Sequence, residues 1–117
     1  MVQRRLLHAG RALRAGYVEG VGVRADQRGR GHAATLMGPL ERVIRAAYDL
    51  GALGSSEAAT GFYAARGWLR WPGPTAVLTP AGIRRTPDED GGIYVLPGTD
   101  RLDATAQLTC DRDGDVW

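Results

Sequence analysis

The sequence predicts one domain of the α/β or α+β class, in which helices and strands share a single core. Three observations lead to this prediction. The chain has 117 residues, a length that suits one domain. Its apolar residues follow a strand pattern near the start and in the last third, and recur with a helical period between them. No internal repeat or long linker divides residues 1–117, so we assign them to one domain.

Two strands and one helix are predicted for the first half of the chain. A strand covers residues 2–8, a turn follows at residues 9–10, and a second strand runs over residues 15–24. The next segment has apolar residues at helical spacing, which predicts a helix with this buried face: Leu36, Leu40, Val43, Ile44 and Ala47. Gly51 is predicted to end the helix. Because an interior proline removes a backbone hydrogen bond and costs about 3 kcal/mol, Pro39 predicts a kink or marginal first turns.

The second half is predicted to be rich in strands. A short buried strand at residues 52–53 leads to a second helix, which Ser55 or Ser56 caps and Gly67 closes. An acidic loop occupies residues 86–91. The predicted strands around it cover residues 68–71, 75–78, 92–96 and 104–110.

Charge is distributed unevenly along the chain. Residues 1–45 carry nine arginines against three acids, a net charge of +6, whereas residues 86–117 carry two arginines against eight acids, a net charge of −6. This asymmetry suggests a polyanionic ligand for the first part and a cationic ligand for the last part. The alternative is chance clustering of charges on solvated faces.

Composition excludes several classes of protein. No apolar run reaches 18 residues and no charged-then-apolar leader opens the chain, so we expect no membrane span, no secretory signal and a cytoplasmic location. One cysteine, Cys110, excludes a disulfide framework. With only two histidines, the usual structural zinc site is excluded as well, and we expect no metal.

A basic, glycine-containing segment lies between the second predicted strand and the first helix. Its residues are Arg28, Gly29, Arg30, Gly31, His32 and Ala33. Glycines let the backbone approach a ligand closely, and the amides at a helix start favour phosphate groups. The segment matches neither the Walker A pattern nor the dinucleotide-binding fingerprint. A flexible turn without a ligand is the alternative.

Several strings of residues resemble one family along essentially the whole chain. Arg28, Gly31 and Ala33 resemble the pyrophosphate motif of the GNAT superfamily of N-acetyltransferases. Longer strings resemble, more closely, the aminoglycoside 2'-N-acetyltransferases of mycobacteria and their relatives. These strings cover residues 16–21, 46–53, 65–68, 85–88 and 114–117.

The resemblance implies a GNAT fold and acetyl-CoA as the co-substrate. Val21, Gly22 and Val23 would pair through their backbone with the pantetheine arm, and the segment from Arg28 to Ala33 would hold the pyrophosphate. Residues 15–70 would form the acetyl-CoA-binding core. Residues 75–117 would form an acidic hairpin and tail on the acceptor side.

The resemblance also implies direct transfer of the acetyl group to the 2'-amine of an aminoglycoside, without an acyl-enzyme. Glu19 would help to deprotonate this amine through water, and Tyr63 would protonate the departing thiolate. Contacts to the aminoglycoside are implied for Glu19, Gly20, Gly54, Asp88, Glu89, Asp115 and the carboxylate of Trp117. We expect neither nucleic acid nor a membrane as a partner. Whether the chain forms a homodimer is left undecided by the sequence.

Residue patterns by themselves leave other interpretations open. Glu19 suits a solvent-facing strand position, Tyr63 suits a core position, and the acidic loop suits a solvated turn. A different cationic amine is the alternative acceptor. The alternative outside the enzymes is a non-catalytic remnant that binds CoA or nucleic acid.

The chain departs from the family at its amino end, where the family is longer. We therefore expect exposed apolar residues on an uncovered sheet face. We also expect residues 1–117 to bind acetyl-CoA but to acetylate aminoglycosides weakly or not at all, because part of the acceptor wall would be missing.

Overall fold

The computed structural model describes residues 1–19, 30–99, 101–111 and 117, with the backbone alone for residues 30–34. Within them lie eight strands and two α-helices. The helices are α1 (Arg30–Ala47) and α2 (Thr60–Ala65). The strands are β1 (Val2–His8), β2 (Arg11–Tyr17), β3 (Leu50–Gly54), β4 (Leu69–Arg70), β5 (Thr75–Thr79), β6 (Gly82–Arg85), β7 (Ile93–Pro97) and β8 (Leu108–Asp111). The predicted mixture of helices and strands is confirmed.

All eight described strands form one sheet, in the order β4-β7-β3-β2-β1-β8-β5-β6. The pairs β2–β3 and β5–β8 are parallel, and the other neighbours are antiparallel. His8 on β1 and Trp71 just after β4 have ring centroids 5.4 Å apart. Because neighbouring strands are spaced by about 4.8 Å, a flat sheet would hold residues on β1 and β4 nearly 20 Å apart. The sheet is therefore strongly curled.

The curl encloses a first core on the inner face of the sheet. This core draws on five strands and on the segment after β4, with members Leu6, Leu13, Ala15, Tyr17, Leu50, Ala52, Trp71, Ile93, Val95, Leu108 and Cys110. The indole of Trp71 donates a hydrogen bond to the carbonyl of Ala106 at 3.1 Å, which ties the loop before β8 to this core.

A second core lies on the outer face, beneath the two helices, so the prediction of a single shared core is wrong. Its members are Val18, Met37, Ile44, Leu53, Ala59, Tyr63, Trp68, Tyr94 and Leu96. Helix α1 approaches the sheet where Gly16 and Gly51 are paired across β2 and β3. A Cβ at either glycine would lie 2.9 Å from the Ile44 side chain. Glycine at both positions is therefore what lets α1 pack this closely.

Most predicted elements of the first half are confirmed, with two corrections. The strand over residues 2–8 and its turn are present, and the second strand begins at Arg11 rather than residue 15. Its predicted end, residues 20–24, lies outside the described residues. Helix α1 continues through Pro39 and ends at Ala47, so Gly51 lies inside β3 and does not end the helix.

The predicted buried face of α1 is partly wrong. Leu36 and Val43 are 44% and 46% exposed, whereas Met37 and Ile44 are fully buried. The polar Glu41 is buried on the same side, between Met37 and Ile44. The face that packs on the sheet is thus rotated from the predicted one, because Glu41 is held there by hydrogen bonds that apolar periodicity cannot reveal.

The second half has one strand that the sequence pattern did not predict. Strand β6 pairs with β5 through a turn in which Gly82 has φ +115°. All four residues of β6 are exposed, so it shows no apolar alternation. In the last predicted strand, only Leu108–Asp111 is extended.

Two further observations concern the surface. At the start of β1, Met1 and Val2 are 40% and 42% exposed. Neither helix in the described part of the chain is long and apolar enough to cross a membrane.

Candidate functional site

The predicted acetyl-CoA side lies mostly outside the described residues. This holds for Val21, Gly22, Val23, Arg28 and Gly29. Gly20, a predicted aminoglycoside contact, also lies outside the described residues. Arg30, Gly31, His32 and Ala33 form the first turn of α1, as backbone only. The glycine-containing segment thus leads into a helix start, as predicted, and its contact with a phosphate stays a prediction.

The predicted acceptor side is built where the parallel strands β2 and β3 end. The amide of Val18 donates to the carbonyl of Ala52 at 3.0 Å, which extends the pairing by one residue. Because parallel strands end at the same edge of a sheet, Tyr17 and Gly54 come together there. A Cβ added to Gly54 would meet two groups. It would lie 3.4 Å from the Tyr17 hydroxyl and 3.7 Å from the main-chain carbonyl carbon of Trp117.

Glu19 is joined to this edge through Arg4. The Arg4 guanidinium forms an ion pair with the Glu19 carboxylate. Its carbon Cζ also lies 3.7 Å from the centroid of the Tyr17 ring. The Arg4 side chain is 5% exposed and the Glu19 side chain 41% exposed, so the carboxylate is anchored from inside and open to solvent.

Tyr17 and Trp117 form the apolar part of the edge. Their ring centroids are 6.3 Å apart. Burial raises the pKa of Tyr17 to about 12, although the neighbouring Arg4 charge acts in the opposite direction. The phenol is therefore protonated at neutral pH and is able to donate a hydrogen bond.

The acidic turn lies next to the end of β3. Asp88 and Glu89 belong to a short 3-10 helix, Pro87–Glu89, and both are exposed. The Gly92 amide donates to the Glu89 carbonyl at 2.9 Å, and the Ser55 amide donates to the Gly92 carbonyl at 2.9 Å. These two hydrogen bonds hold the turn beside Ser55, the residue after Gly54.

Asp90, the third carboxylate of the turn, has a structural role. It accepts hydrogen bonds from the Thr75 amide at 2.9 Å and the Thr75 hydroxyl at 2.8 Å, and Arg85 pairs with its other oxygen at 2.6 Å. Desolvation alone would raise the pKa of Asp90, but the Thr75 hydrogen bonds and Arg85 together lower it. Asp90 thus fixes the turn that presents Asp88 and Glu89.

Tyr63 lies on the opposite face of the sheet, in the second core. It is 1% exposed, and its ring centroid is 5.9 Å from that of Trp68 and 5.1 Å from that of Tyr94. Burial raises the pKa of Tyr63, while a hydrogen bond with the Ser55 side chain acts in the opposite direction. The phenol therefore keeps its proton and adjoins the end of β3 from the helix side.

The described site residues adjoin the end of β3 from two opposite faces of the sheet. Tyr17 and Trp117 adjoin Gly54 from the inner face, and Tyr63 adjoins Ser55 from the outer face. Glu19 and Tyr63 belong to groups on opposite faces of the sheet. Asp115 lies outside the described residues.

Sequence reasoning missed Arg4, Tyr17 and Ser55 as parts of this arrangement. Strand alternation carries a signal for Arg4, since it shares the inner face of β1 with the buried Leu6. Cys110 is fully buried and burial raises the pKa of its thiol, which disfavours the nucleophilic thiolate. Among the described residues, no group of three or more His, Cys, Asp or Glu side chains could hold a metal ion.

Comparison with known proteins relates the chain to one kind of enzyme. No family model matches it. Over an alignment of 122 residues that includes the whole chain, it is 57% identical to an aminoglycoside 2'-N-acetyltransferase of Mycolicibacterium fortuitum. The chain spans 63% of the length of that relative.

Identity at this level over every element of the fold makes the chain a relative of the N-acetyltransferases. More particularly, it is related to the aminoglycoside 2'-N-acetyltransferases, which confirms the resemblance found in its sequence.

Proposed function

We propose that the chain transfers an acetyl group from acetyl-CoA to the 2'-amine of an aminoglycoside, on a GNAT fold. One observation carries this proposal. The described residues that the resemblance assigns to the acceptor side gather around the carboxyl end of β3, although they are up to 98 residues apart in sequence, from Glu19 to Trp117.

The chemistry of this edge suits a polycationic acceptor. The Glu19 carboxylate is open to solvent on one side of Tyr17, and the carboxylates of Asp88 and Glu89 are exposed beside Ser55. The Tyr17 ring is 3% exposed and supports the Trp117 ring from the core, so the half-buried Trp117 ring is the apolar surface available to a sugar ring. Gly20 and Asp115, which lie outside the described residues, complete the proposed contacts.

The proposed reaction is a direct attack by the amine. Glu19, through a water molecule, takes a proton from the 2'-ammonium, because only the neutral amine has a lone pair for attack. The amine nitrogen then bonds to the thioester carbonyl carbon, releases its second proton to solvent, and the carbon–sulfur bond breaks. Solvent also restores the proton that Tyr63 gives up in the next step. Tyr63 gives its phenolic proton to the departing thiolate. The products are the N-acetylated aminoglycoside and free CoA.

Acetyl-CoA is proposed to approach from the basic part of the chain. The first turn of α1, led by Arg30, presents backbone amides that favour the pyrophosphate. Val21, Gly22 and Val23 would pair with the pantetheine arm, and the arginines of residues 15–70 would balance the phosphate charges. Both substrates are small polar molecules, and we propose that the reaction takes place in the cytoplasm.

The test is product analysis with the purified chain. It is incubated with acetyl-CoA and an aminoglycoside that carries a 2'-amine, and the product is examined by mass spectrometry and by NMR mapping of the acetyl group. We expect slow transfer, to the 2'-nitrogen alone. The matched control is an aminoglycoside with a hydroxyl at the 2' position, which should gain no acetyl group. Acetylation at another nitrogen would contradict the proposed acceptor.

Two variants test the proposed roles in the same assay. Glu19→Gln and Tyr63→Phe should each slow transfer by about a hundredfold while leaving acetyl-CoA affinity unchanged, because each removes a proton-transfer group without removing volume. Since burial raises the pKa of Tyr63 above its ordinary value, loss of the Tyr63 proton should not slow the parent at neutral or mildly alkaline pH. Tyr94→Phe is the control, because its hydroxyl bonds to Ser56 and Thr60 and should affect stability only.

A further inference from the structure

Arg4 stands out among the charged residues because its side chain is buried and yet points toward the proposed site. It lies on β1, on the same inner face as Leu6, and is 5% exposed. Burial of a charged side chain is costly unless it is paired and hydrogen-bonded. Here the guanidinium contacts groups on three elements: the Tyr17 ring of β2, the Glu19 carboxylate beyond β2 and the Cys110 side chain of β8.

These contacts hold the guanidinium in one orientation. Its carbon Cζ lies over the Tyr17 ring, 3.7 Å from the ring centroid, an arrangement in which a cation is attracted to the ring electrons. One of its terminal nitrogens, Nη2, is directed to Oε1 of Glu19. Because a guanidinium is planar and its donors lie in fixed directions, fixing the plane also fixes where its partner carboxylate sits.

Glu19 needs such an anchor. It is the second residue after β2 and its side chain is 41% exposed, and the ion pair with Arg4 ties its carboxylate to the buried inner face of the sheet. A freely rotating glutamate would lose side-chain entropy each time it met a substrate amine. The ion pair with a rigid, buried arginine removes that freedom in advance.

We propose that Arg4 is a positioning residue that holds the Glu19 carboxylate toward the acceptor amine. This inference rests on the proposed function. Arg4 touches neither substrate, and its contribution passes through Glu19. Its loss should therefore matter only when Glu19 is present.

The test is a double-mutant cycle on acetyl transfer, measured in single turnovers by mass spectrometry so that slow rates are accessible. The variants are Arg4→Gln, Glu19→Gln and their combination. We expect R4Q to slow transfer by about tenfold, since misplacing a catalytic group costs rate even when the group remains. In the E19Q background, R4Q should cause no further loss. The affinity of all three variants for acetyl-CoA should stay within about twofold of the parent. A general loss of stability would instead weaken acetyl-CoA binding, so this measurement separates the two effects.

A second variant guards against a folding defect. Arg4→Lys keeps the charge and most of the side-chain length, but its compact ammonium lacks the planar fork. R4K should melt close to the parent and still lose several-fold in transfer, again only with Glu19 intact. Arg84→Gln is the matched control, since it removes an exposed arginine from β6, the strand at the edge of the sheet. It should leave transfer unchanged.

The outcomes separate the two proposals. If the parent chain acetylates no 2'-amine, the proposed function fails and the role of Arg4 fails with it. If the parent is active but the losses from R4Q and E19Q multiply, Arg4 acts independently of Glu19 and the positioning role is refuted. An R4K rate equal to that of the parent would show that the fork geometry is not needed, and would refute it as well.

Discussion

At the scale of single residues, Glu41 shows how one buried carboxylate joins several elements. It is 4% exposed, beneath α1. Arg66 donates to both of its oxygens, at 2.6 Å from Nη2 and 2.9 Å from Nε, and the Trp68 indole donates at 2.8 Å. Because Arg66 follows α2 and Trp68 precedes β4, Glu41 fastens α1 to the segment that places Tyr63.

Replacing Glu41 should therefore destabilise the whole domain. Glu41→Ala leaves the Arg66 guanidinium and the Trp68 indole without their acceptor, and we expect it to lower the free energy of unfolding by about 3 kcal/mol. Glu57→Ala is the control, since the Glu57 side chain is 80% exposed and pairs with Arg70 at 3.5 Å. It should cost less than about 1 kcal/mol. Urea unfolding measures both, and equal losses would contradict the role given to Glu41.

At the scale of elements, helix α1 contains a residue that opposes its own secondary structure. Pro39 lies in the middle of the helix and is exposed, directly after Gly38. Its ring lacks an amide donor and crowds the preceding turn. Packing of Met37 and Ile44 against the sheet offsets this cost, so the helix persists where the local sequence favours a break.

Replacing this proline should stabilise the domain. Pro39→Ala restores the donor and removes no buried contact, so we expect the free energy of unfolding to rise by about 1–3 kcal/mol. Gly38→Ala serves for comparison, because a Cβ there would lie 3.7 Å from its nearest neighbour, the Arg42 side chain. It should add no more than about 1 kcal/mol. A loss of stability in P39A would mean that the sheet requires a distorted helix.

At the scale of the whole molecule, the two ends of the charge distribution serve different substrates in the proposed function. Residues 1–45 carry a net charge of +6 and residues 86–117 a net charge of −6. A polyanionic acetyl-CoA and a polycationic aminoglycoside are each attracted by one of them. Both attractions act through solvent and are therefore screened by salt.

Salt should weaken both binding equilibria. Raising sodium chloride from about 50 mM to about 500 mM shortens the screening length severalfold, and calorimetry should show lower affinity for acetyl-CoA and for the aminoglycoside. Pantetheine, which lacks the phosphates of CoA, is the control and should bind with little dependence on salt. An acetyl-CoA affinity that does not change with salt would contradict a role for the basic segment in holding its phosphates.

The elements that the sequence predicted well are those whose signal is local. The first strand and its turn, the long helix and the strand that contains Tyr94 follow from periodicity and from turn residues such as Gly10. The relationship to the acetyltransferases was also present in the sequence, because long strings of residues carry it. None of this required a partner from elsewhere in the chain.

The tertiary structure alone decided the features that depend on residues far apart in the sequence. Strand β6 exists because β5 pairs with it, and Glu41 is buried because Arg66 and Trp68 supply its hydrogen bonds. Arg4 became part of the site only when the register of β1 and β2 set it diagonally opposite Tyr17. The physical reason is the same in each case: burial of a polar group is favourable only where a second group satisfies it, and that second group is chosen by the fold.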